Sequence, residues 1–467
     1  MTLLVFGMDG AVREWIEEGI DRGLMPNTEK LIEEGCFGDM ESTIPPITIP
    51  AWVSMFSGYR SDRFDTSNHT WLNPDYESEL RNSKDWKGDM VWDRVDAEWG
   101  LVSVPGTSPL WPVSGFVMEG FPNVEDPSFY PEELGEEVPD VEFEATGTKP
   151  TKGERRKAYH RNFEKRMKVF DAIDRDCDVR IEVYQLTDTT AHRSKNLDQI
   201  MEAYRKVDEK LGERMDEYDN VLLVSDHGFT HLDQYFYVNS WLRDRGYLEE
   251  KEEQKSGFKS AVQRVAAPLA GTFLRPVLKR ANDLLSSTTG TDFSPKSSFL
   301  ESVDFENTQA FSYIRSTSNF GDININDSRW SKGPVEDREK VLGEIIEELG
   351  EEEFVTDVWR SEELFDDPEN MPDLFFRTRE NVGVGPPLFP NYLFETDAFV
   401  HKRTGVIGGH GPIFAEGELE TRDIIDVAPT IAHYLGQDLE CDGEVVEELF
   451  AEDFEPREPD ETAGIDF

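Results

Sequence analysis

Three short, largely apolar runs in this chain are each followed closely by an aspartate, and this repeated pattern is the strongest constraint on its fold. The runs at residues 3–6, 180–186 and 220–225 lead to Asp9, Asp188 and Asp226. Runs of this kind favour buried strands of a parallel sheet. Because ligands bind outside the carboxyl ends of such strands, we expect the three aspartates to share one site.

The segments between these runs predict helices, above all a long amphipathic helix over residues 197–215. Strands that alternate with helices predict an α/β fold, with a mixed, mostly parallel sheet between helical layers. The predicted division is a core over 1–248 with an irregular insertion at about 61–160, an inserted helical cap over 249–300, a second part of the core over 301–450, and a flexible acidic tail over 451–467.

The predicted cap is basic. Residues 251–280 carry seven Lys and Arg against two Glu, and apolar residues recur among them at helical spacing. Two interpretations remain open. The cations pair with the acidic body of the protein, or they contact an anionic membrane surface.

The overall charge is strongly negative. The chain has 97 Asp and Glu against 48 Lys and Arg, a formal net charge of -49. Such a surface repels nucleic acid, and we expect no nucleic-acid partner. With 37% hydrophobic residues the chain is not predicted to be disordered. The charge is typical of proteins that work in molar salt, although an ordinary acidic protein is the alternative.

The remaining bulk features favour a cytoplasmic protein. The start of the chain lacks the basic and apolar regions of a signal peptide. Three cysteines provide no disulfide framework.

Histidines accompany the aspartates and suggest a metal centre. The candidate ligands are Asp9, Asp188, His192, Asp226, His227 and His410. Carboxylates mixed with imidazoles suit Zn²⁺ or Mn²⁺. Six ligands are too many for one tetrahedral ion, so we expect two divalent ions about 4 Å apart, an arrangement suited to phosphoryl transfer.

Thr48 is the candidate nucleophile. It lies directly before a predicted helix start, where backbone N–H groups can bind a phosphate. A threonine hydroxyl is a poor nucleophile near pH 7 unless it is activated, which requires it to lie beside a metal ion. The alternative is that Thr48 only caps the helix.

These motifs resemble those of the alkaline phosphatase superfamily, in a phosphohydrolase/phosphomutase branch close to type I phosphodiesterase/nucleotide pyrophosphatases. The resemblance is carried by VFGMDG, STIPPITIPAW, DTTAH, SDHGF, VNSWLRDRGYL, GGHGP and IIDVAPTIAHYLG. It covers most of the chain apart from about 61–160 and the basic insert. The ordered set is specific, whereas each motif alone is weak.

The resemblance implies a role for each candidate residue. One ion is held by Asp9, Thr48, Asp226 and His227, and the other by Asp188, His192 and His410. Thr48 then forms a phosphothreonine intermediate that water hydrolyses. Asn68 lies about where relatives place an Asn that binds a phosphate oxygen, although its sequence context differs, and a turn residue is the alternative.

The expected function is metal-dependent hydrolysis of a small phosphorylated substrate, a monoester or a diester. A phosphomutase with the same intermediate is the first alternative. A sulfatase is disfavoured because Thr-Ile-Pro-Ala-Trp stands where sulfatases need a Cys or Ser. The last alternative is an inactive module that binds glycans or protein partners. The sequence predicts neither the substrate nor the oligomeric state.

Overall fold

The computed structural model describes residues 2–251, 298–314 and 318–457, which form two compact units. Unit 1 contains the described residues of Met1–His69, Arg81–Thr230 and His401–Phe467, and unit 2 contains those of Thr70–Leu80 and His231–Val400. Most of the predicted cap at 249–300, including nearly all of the basic segment 251–280, lies outside the described residues, as does the end of the tail from 458.

The strands are numbered in chain order. They are β1 Leu3–Met8, β2 Cys36–Glu41, β3 Thr70–Leu72, β4 Ser78–Leu80, β5 Trp99–Val104, β6 Gly115–Glu119, β7 Phe129–Tyr130, β8 Val179–Tyr184, β9 Asn220–Val224, β10 Gly228–Tyr237, β11 Ala310–Phe311, β12 Phe320–Ile325, β13 Val355–Arg360, β14 Leu374–Thr378, β15 Val382–Gly385, β16 Leu393–Lys402, β17 Thr404–His410, β18 Gly417–Glu418 and β19 Arg422–Asp423.

The α-helices of the described residues are numbered in the same way. They are α1 Arg13–Asp21, α2 Pro26–Glu34, α3 Thr48–Ser57, α4 Val91–Arg94, α5 Leu134–Glu137, α6 Lys152–Phe170, α7 Leu186–Ala191, α8 Leu197–Glu217, α9 Val238–Asp244, α10 Ser298–Ser302, α11 Arg338–Gly350, α12 Ser361–Leu364 and α13 Val427–Tyr434. Short 3₁₀ turns lie at Ser61–Phe64, Ser83–Asp85, Ile424–Asp426 and Glu447–Leu449. Within the described residues, none of these helices combines the length and apolarity needed to cross a bilayer.

Unit 1 is built on a ten-stranded sheet in the order β18-β2-β17-β9-β1-β8-β5-β6-β7, with β19 paired to β2. The strands β9, β1, β8, β5 and β6 run parallel to one another, whereas β17 runs antiparallel to both β2 and β9, and β7 runs antiparallel to β6. The predicted α/β fold with a mixed, mostly parallel sheet is therefore confirmed.

Two predicted boundaries are corrected by this topology. The segment at about 61–160, expected to be an irregular insertion, contributes β5 and β6 to the central sheet. Residues 301–400, expected to complete the core, belong to unit 2, where β11-β12-β14-β13 and β15-β10-β16 form separate sheets. Unit 2 has its own hydrophobic core, with Phe236, Trp241 and Phe376 among its buried residues.

Side chains alternate between the two faces of a sheet along each strand, and every residue of β1, β8 and β9 is buried. Both faces of the central sheet are therefore covered. On one face Val5 lies in the same apolar cluster as Trp52 of α3. On the other face Phe6 stacks on Tyr184 with ring centroids 4.2 Å apart, and Phe170 of α6 contacts Tyr184.

Gly7 permits a close approach between β1 and α3. A Cβ at this position would lie 2.7 Å from the Trp52 ring and 2.9 Å from Val183 Cγ2. Only glycine therefore lets the helix that begins at Thr48 pack this closely on the strand that leads to Asp9.

A charge network is buried at β8. Glu182 is fully buried and accepts hydrogen bonds from Arg180 Nε at 2.7 Å and Arg214 Nε at 2.8 Å. Burial alone would raise the pKa of Glu182, but the two guanidiniums lower it below its ordinary value. The carboxylate is therefore ionised and neutralised inside the fold.

The first part of the predicted flexible tail is packed against unit 1. Phe454 stacks on Phe450 with ring centroids 4.3 Å apart, and Arg457 Nη1 lies 2.6 Å from Asp178 Oδ1. Aromatic contacts and this ion pair thus hold Phe454 and Arg457 against unit 1, beyond the predicted boundary at 450.

Candidate active site

The central sheet brings the three predicted aspartates to one edge. In the parallel register Gly7 of β1 lies beside Val183 of β8 and Val224 of β9. Asp9 and Asp226 follow β1 and β9 directly, and Asp188 lies on the short helix α7 that follows β8.

The first group of donors consists of Asp9, Asp226 and His227, all nearly or fully buried. His227 Nε2 lies 3.2 Å from Asp226 Oδ2 and 3.8 Å from Asp9 Oδ1. One ligand atom from each residue lies within 4.8 Å of the others. The three side chains therefore surround a space of the size that one ion occupies.

The two carboxylates of this group lack a compensating positive charge. Burial raises the pKa of both Asp9 and Asp226 well above the ordinary value, and the charge of Asp188 raises both further, as does that of Asp226 for Asp9. In the described part of the chain, no hydrogen-bond donor reaches Asp9 Oδ1 or Asp226 Oδ2. Buried oxygens without donors are rare, and a bound cation would satisfy both of them.

Thr48 lies beside this group as the first residue of α3. Its Oγ1 is 3.5 Å from His227 Nε2, and the residue is only 9% exposed. The other ring nitrogen, His227 Nδ1, lies 3.2 Å from the carbonyl oxygen of Gly228. When Nδ1 donates its proton to that carbonyl, Nε2 presents a lone pair to the group.

The second group of donors consists of Asp188, His192 and His401. Asp188 Oδ1 lies 3.2 Å from the Nε2 atoms of both histidines, which are 2.7 Å from each other. Ligand atoms around a tetrahedral Zn²⁺ lie roughly 3.3 Å apart, given metal–ligand distances of about 2.0–2.1 Å. The triangle matches one face of such a tetrahedron. Burial alone would raise the pKa of Asp188, but the two histidines lower it well below the ordinary value.

His401 is held in position by two contacts. Its Nδ1 lies 2.8 Å from the carbonyl oxygen of Pro46. When Nδ1–H donates a hydrogen bond to this carbonyl, the lone pair of Nε2 is free to bind a metal. Its ring stacks on His227 with centroids 3.6 Å apart. The two donor groups are therefore in direct contact, and Asp188, His227 and His401 also offer ligand atoms within 4.8 Å of one another.

The structure corrects the prediction that His410 joins these ligands. In the antiparallel pairing of β17 with β9, His410 lies beside Val221, at the opposite end of β9 from Asp226. At about 3.3 Å per residue, this separates the two backbones by roughly 16 Å. His410 Nε2 instead lies 3.5 Å from Glu34 Oε2.

Strand direction explains why sequence reasoning missed His401. The prediction placed ligands after strands, which holds only for strands parallel to β1. An antiparallel strand brings its beginning to the same edge, and His401 lies three residues before β17 begins at Thr404. The available signal was a histidine shortly before the apolar pair Val406 and Ile407.

Asn68 is buried, with 4% of the residue exposed. Its Oδ1 accepts a hydrogen bond from the backbone N–H of His69 at 2.8 Å. The pKa of His69 falls to about 4 because of burial and of the nearby His401, while Asp188 opposes the shift. The phosphate-binding role of Asn68 stays a prediction.

The donor set fits divalent metal ions. Seven side chains, counting the Thr48 hydroxyl, offer carboxylate, imidazole and alcohol donors in two adjoining groups. This mixture suits Zn²⁺ or Mn²⁺, and the buried carboxylates need positive charge.

Comparison with known proteins identifies the family of the chain. The family model for type I phosphodiesterase / nucleotide pyrophosphatase matches residues 3–296, more than half of the chain. No curated protein matches the sequence.

The fold is similar to that of murine ectonucleotide pyrophosphatase / phosphodiesterase 5. The similarity has a TM-score of 0.57 at 13% identity, and it covers 97% of this chain and 100% of the murine chain. A structure of an inactive form of the murine protein in complex with AMP gives the same values. The matched family model shows that the chain belongs to the type I phosphodiesterase/nucleotide pyrophosphatase family.

Proposed function

We propose that this protein hydrolyses phosphate esters with Thr48 as its nucleophile and two divalent ions as cofactors. Membership of the family supports hydrolysis of the phosphodiesterase or pyrophosphatase type. The observation that carries the proposal is the 3.5 Å distance between Thr48 Oγ1 and His227 Nε2, in a buried group with two carboxylates.

The metal ligands follow from the two donor groups. Asp9, Thr48, Asp226 and His227 would hold one ion, and Asp188, His192 and His401 the other. When bound, such ions lower the pKa of a coordinated hydroxyl and neutralise negative charge on the phosphate. The hydrogen bonds from the rings of His227 and His401 to backbone carbonyls would fix the orientation of these ligands.

The protein's own groups would then carry the reaction. Thr48 Oγ1 attacks phosphorus, the bond to the leaving group breaks, and phosphothreonine forms. Water hydrolyses this ester and restores Thr48. The N–H groups of Thr48 and Ile49 precede the first hydrogen bond of α3, which Ala51 donates to Ile47 O, and they can bind the phosphate oxygens; Asn68 is a further candidate for this role.

Substitution of Thr48 tests the proposal. We expect Thr48→Ala to lower kcat for bis-p-nitrophenyl phosphate by roughly 10⁴-fold or more, because loss of a nucleophile removes the covalent route. Thr48→Ser is the matched control, since it keeps the hydroxyl and should keep measurable activity. Mass spectrometry of acid-quenched wild-type protein should find the transferred phosphoryl group on Thr48.

Two outcomes would contradict parts of the proposal. Wild-type turnover by Thr48→Ala, with unchanged metal content, would remove Thr48 as the nucleophile. An isomeric product without free phosphate, from a labelled sugar phosphate, would replace hydrolysis by the phosphomutase alternative.

A further inference from the structure

Helix α6 is unusually basic for this protein. Lys152–Phe170 carries eight Lys and Arg against two Glu, in a chain whose formal net charge is -49. Some of these cations pair with acids, as Arg161 does with Glu144. Lys152 and Arg156 instead donate to neutral oxygen atoms at the candidate metal ligand His192 and at Gln199.

Two cations of α6 contact residues at or after His192, and Arg193 is itself part of the segment that follows His192. Lys152 Nζ donates to the carbonyl oxygen of His192 at 3.2 Å. Arg193 Nη1 donates to Thr189 O at 2.9 Å, and Arg156 Nη1 donates to Gln199 Oε1. Lys152, Arg156 and Arg193 are called the basic rim below.

The arginines of the basic rim have neutral partners. Arg193 Nη2 donates to the Tyr159 hydroxyl at 3.3 Å, and its guanidinium lies 4.5 Å above the Tyr159 ring. In the described part of the chain, no carboxylate oxygen lies within 4.0 Å of the charged nitrogens of Arg156 or Arg193. Since acids outnumber bases two to one in the sequence, two half-buried arginines without an acidic partner are unexpected.

The position of the basic rim links it to the candidate active site. Arg193 follows His192 in the chain, and Lys152 Nζ lies 3.2 Å from the carbonyl oxygen of His192. His192 Nε2 in turn lies 3.2 Å from Asp188 Oδ1. A substrate whose scissile phosphate lies at the donor groups would extend over these cations if it continued past His192.

We propose that the basic rim binds a second phosphate of the substrate, separate from the phosphate that is cleaved. The inference rests on the proposed function, because it assumes that the scissile phosphate lies at the two donor groups. A guanidinium presents paired N–H donors that match phosphate oxygens, and an ammonium adds a point charge. The preferred substrates are thus phosphate esters with a further phosphate group.

Two substrates that differ by one phosphate test this inference. They are thymidine 5′-(p-nitrophenyl phosphate) and the same compound with an added 3′-phosphate. We expect the wild-type protein to favour the latter by about tenfold in kcat/KM, the effect of one or two charge-assisted hydrogen bonds. In the double variant Lys152→Gln/Arg193→Gln the ratio should fall to about one.

The control variant is Lys157→Gln, which removes one positive charge from an exposed position of α6. It should keep the wild-type ratio, whereas a general electrostatic effect would change it. Metal content of every variant is measured, because Arg193 is adjacent to His192. A wild-type ratio near one, or a ratio unchanged in the double variant, would overturn the inference.

Equilibrium binding separates this inference from the proposed function. Calorimetric titration with thymidine 3′,5′-bisphosphate and thymidine 5′-monophosphate requires no turnover. If neither nitrophenyl ester is cleaved, the proposed function fails, and tighter binding of the bisphosphate that is lost in the double variant still supports the basic rim. Equal affinities in the wild-type protein would refute it.

Discussion

Replacement of His401 by alanine is the most direct test of the metal centre. Its Nε2 lies 3.2 Å from Asp188 Oδ1 and 2.7 Å from His192 Nε2, so the change removes one corner of a three-donor face. Loss of a residue that only orients a ligand costs about 10–100-fold in metal affinity. Loss of the ligand itself should weaken one of the two sites by at least about 100-fold, or about 2.7 kcal/mol.

The assay is a competition titration of metal-free protein with Zn²⁺ and a chromogenic chelator. His410→Ala is the matched control, because it removes a histidine of β17 that lies beside Val221, at the end of β9 far from Asp226. It should bind two ions with wild-type affinity. A third variant, His401→Phe, keeps a ring against His227 without the nitrogen, and therefore separates ligation from packing.

The result that refutes this reasoning is specific. If His410→Ala loses a site while His401→Ala retains both, the ligand set derived from the fold is wrong. If His401→Phe binds metal like the wild-type protein, His401 acts through packing alone.

Three further predictions concern stability. Chelation of metal by EDTA should lower the Tm, and Zn²⁺ at 100 times its Kd should raise the free energy of unfolding again by about 2.7 kcal/mol. A Tm that EDTA leaves unchanged would contradict metal binding at the buried carboxylates. Glu182→Gln should lower the free energy of urea unfolding by about 3–5 kcal/mol, because it leaves Arg180 buried without its counter-charge and removes one of the three carboxylates around Arg214, whereas the exposed control Glu164→Gln should change it by less than about 1 kcal/mol. Since the pKa of Glu182 is lowered in the folded protein, its carboxylate stabilises the fold fully above the unfolded pKa of about 4.3, and this stabilisation is lost as the pH falls through the folded pKa. The wild-type protein and Glu182→Gln should therefore approach the same free energy of unfolding in acid. If the acidic surface is an adaptation to salt, the Tm should rise between 0.1 and about 2 M KCl, and a fall would exclude that interpretation.

Local sequence patterns predicted the part of the site that depends on parallel strands. Asp9 and Asp226 follow short runs that are buried on both faces, and such runs have few alternatives to a central parallel strand. Once those strands are neighbours, the positions of both aspartates follow from the register alone.

The parts that could not be predicted depend on pairing between distant segments. Whether β17 runs with or against β9 is decided by how residues 401–410 return to the sheet, and this direction determines that His401 rather than His410 reaches the donor groups. Likewise, β5 lies in a stretch rich in turns, and only its pairing with β8 identifies it as part of the core. The division into two units also depends on tertiary packing, for which no local pattern gave a signal.

Gly7 determines how close the Thr48 hydroxyl lies to the metal-binding donors, so a change at this position would separate catalysis from metal binding. It lies two residues before Asp9, and the Trp52 ring that occupies the space of its missing Cβ lies one helical turn after Thr48. A methyl group at this position would push α3 outward and carry the Thr48 hydroxyl away from the carboxylate and imidazole donors, none of which lies on α3. The family could thus lose turnover through one backbone position while still loading its ions, and such a protein would be a metal-bound receptor for phosphate esters instead of an enzyme.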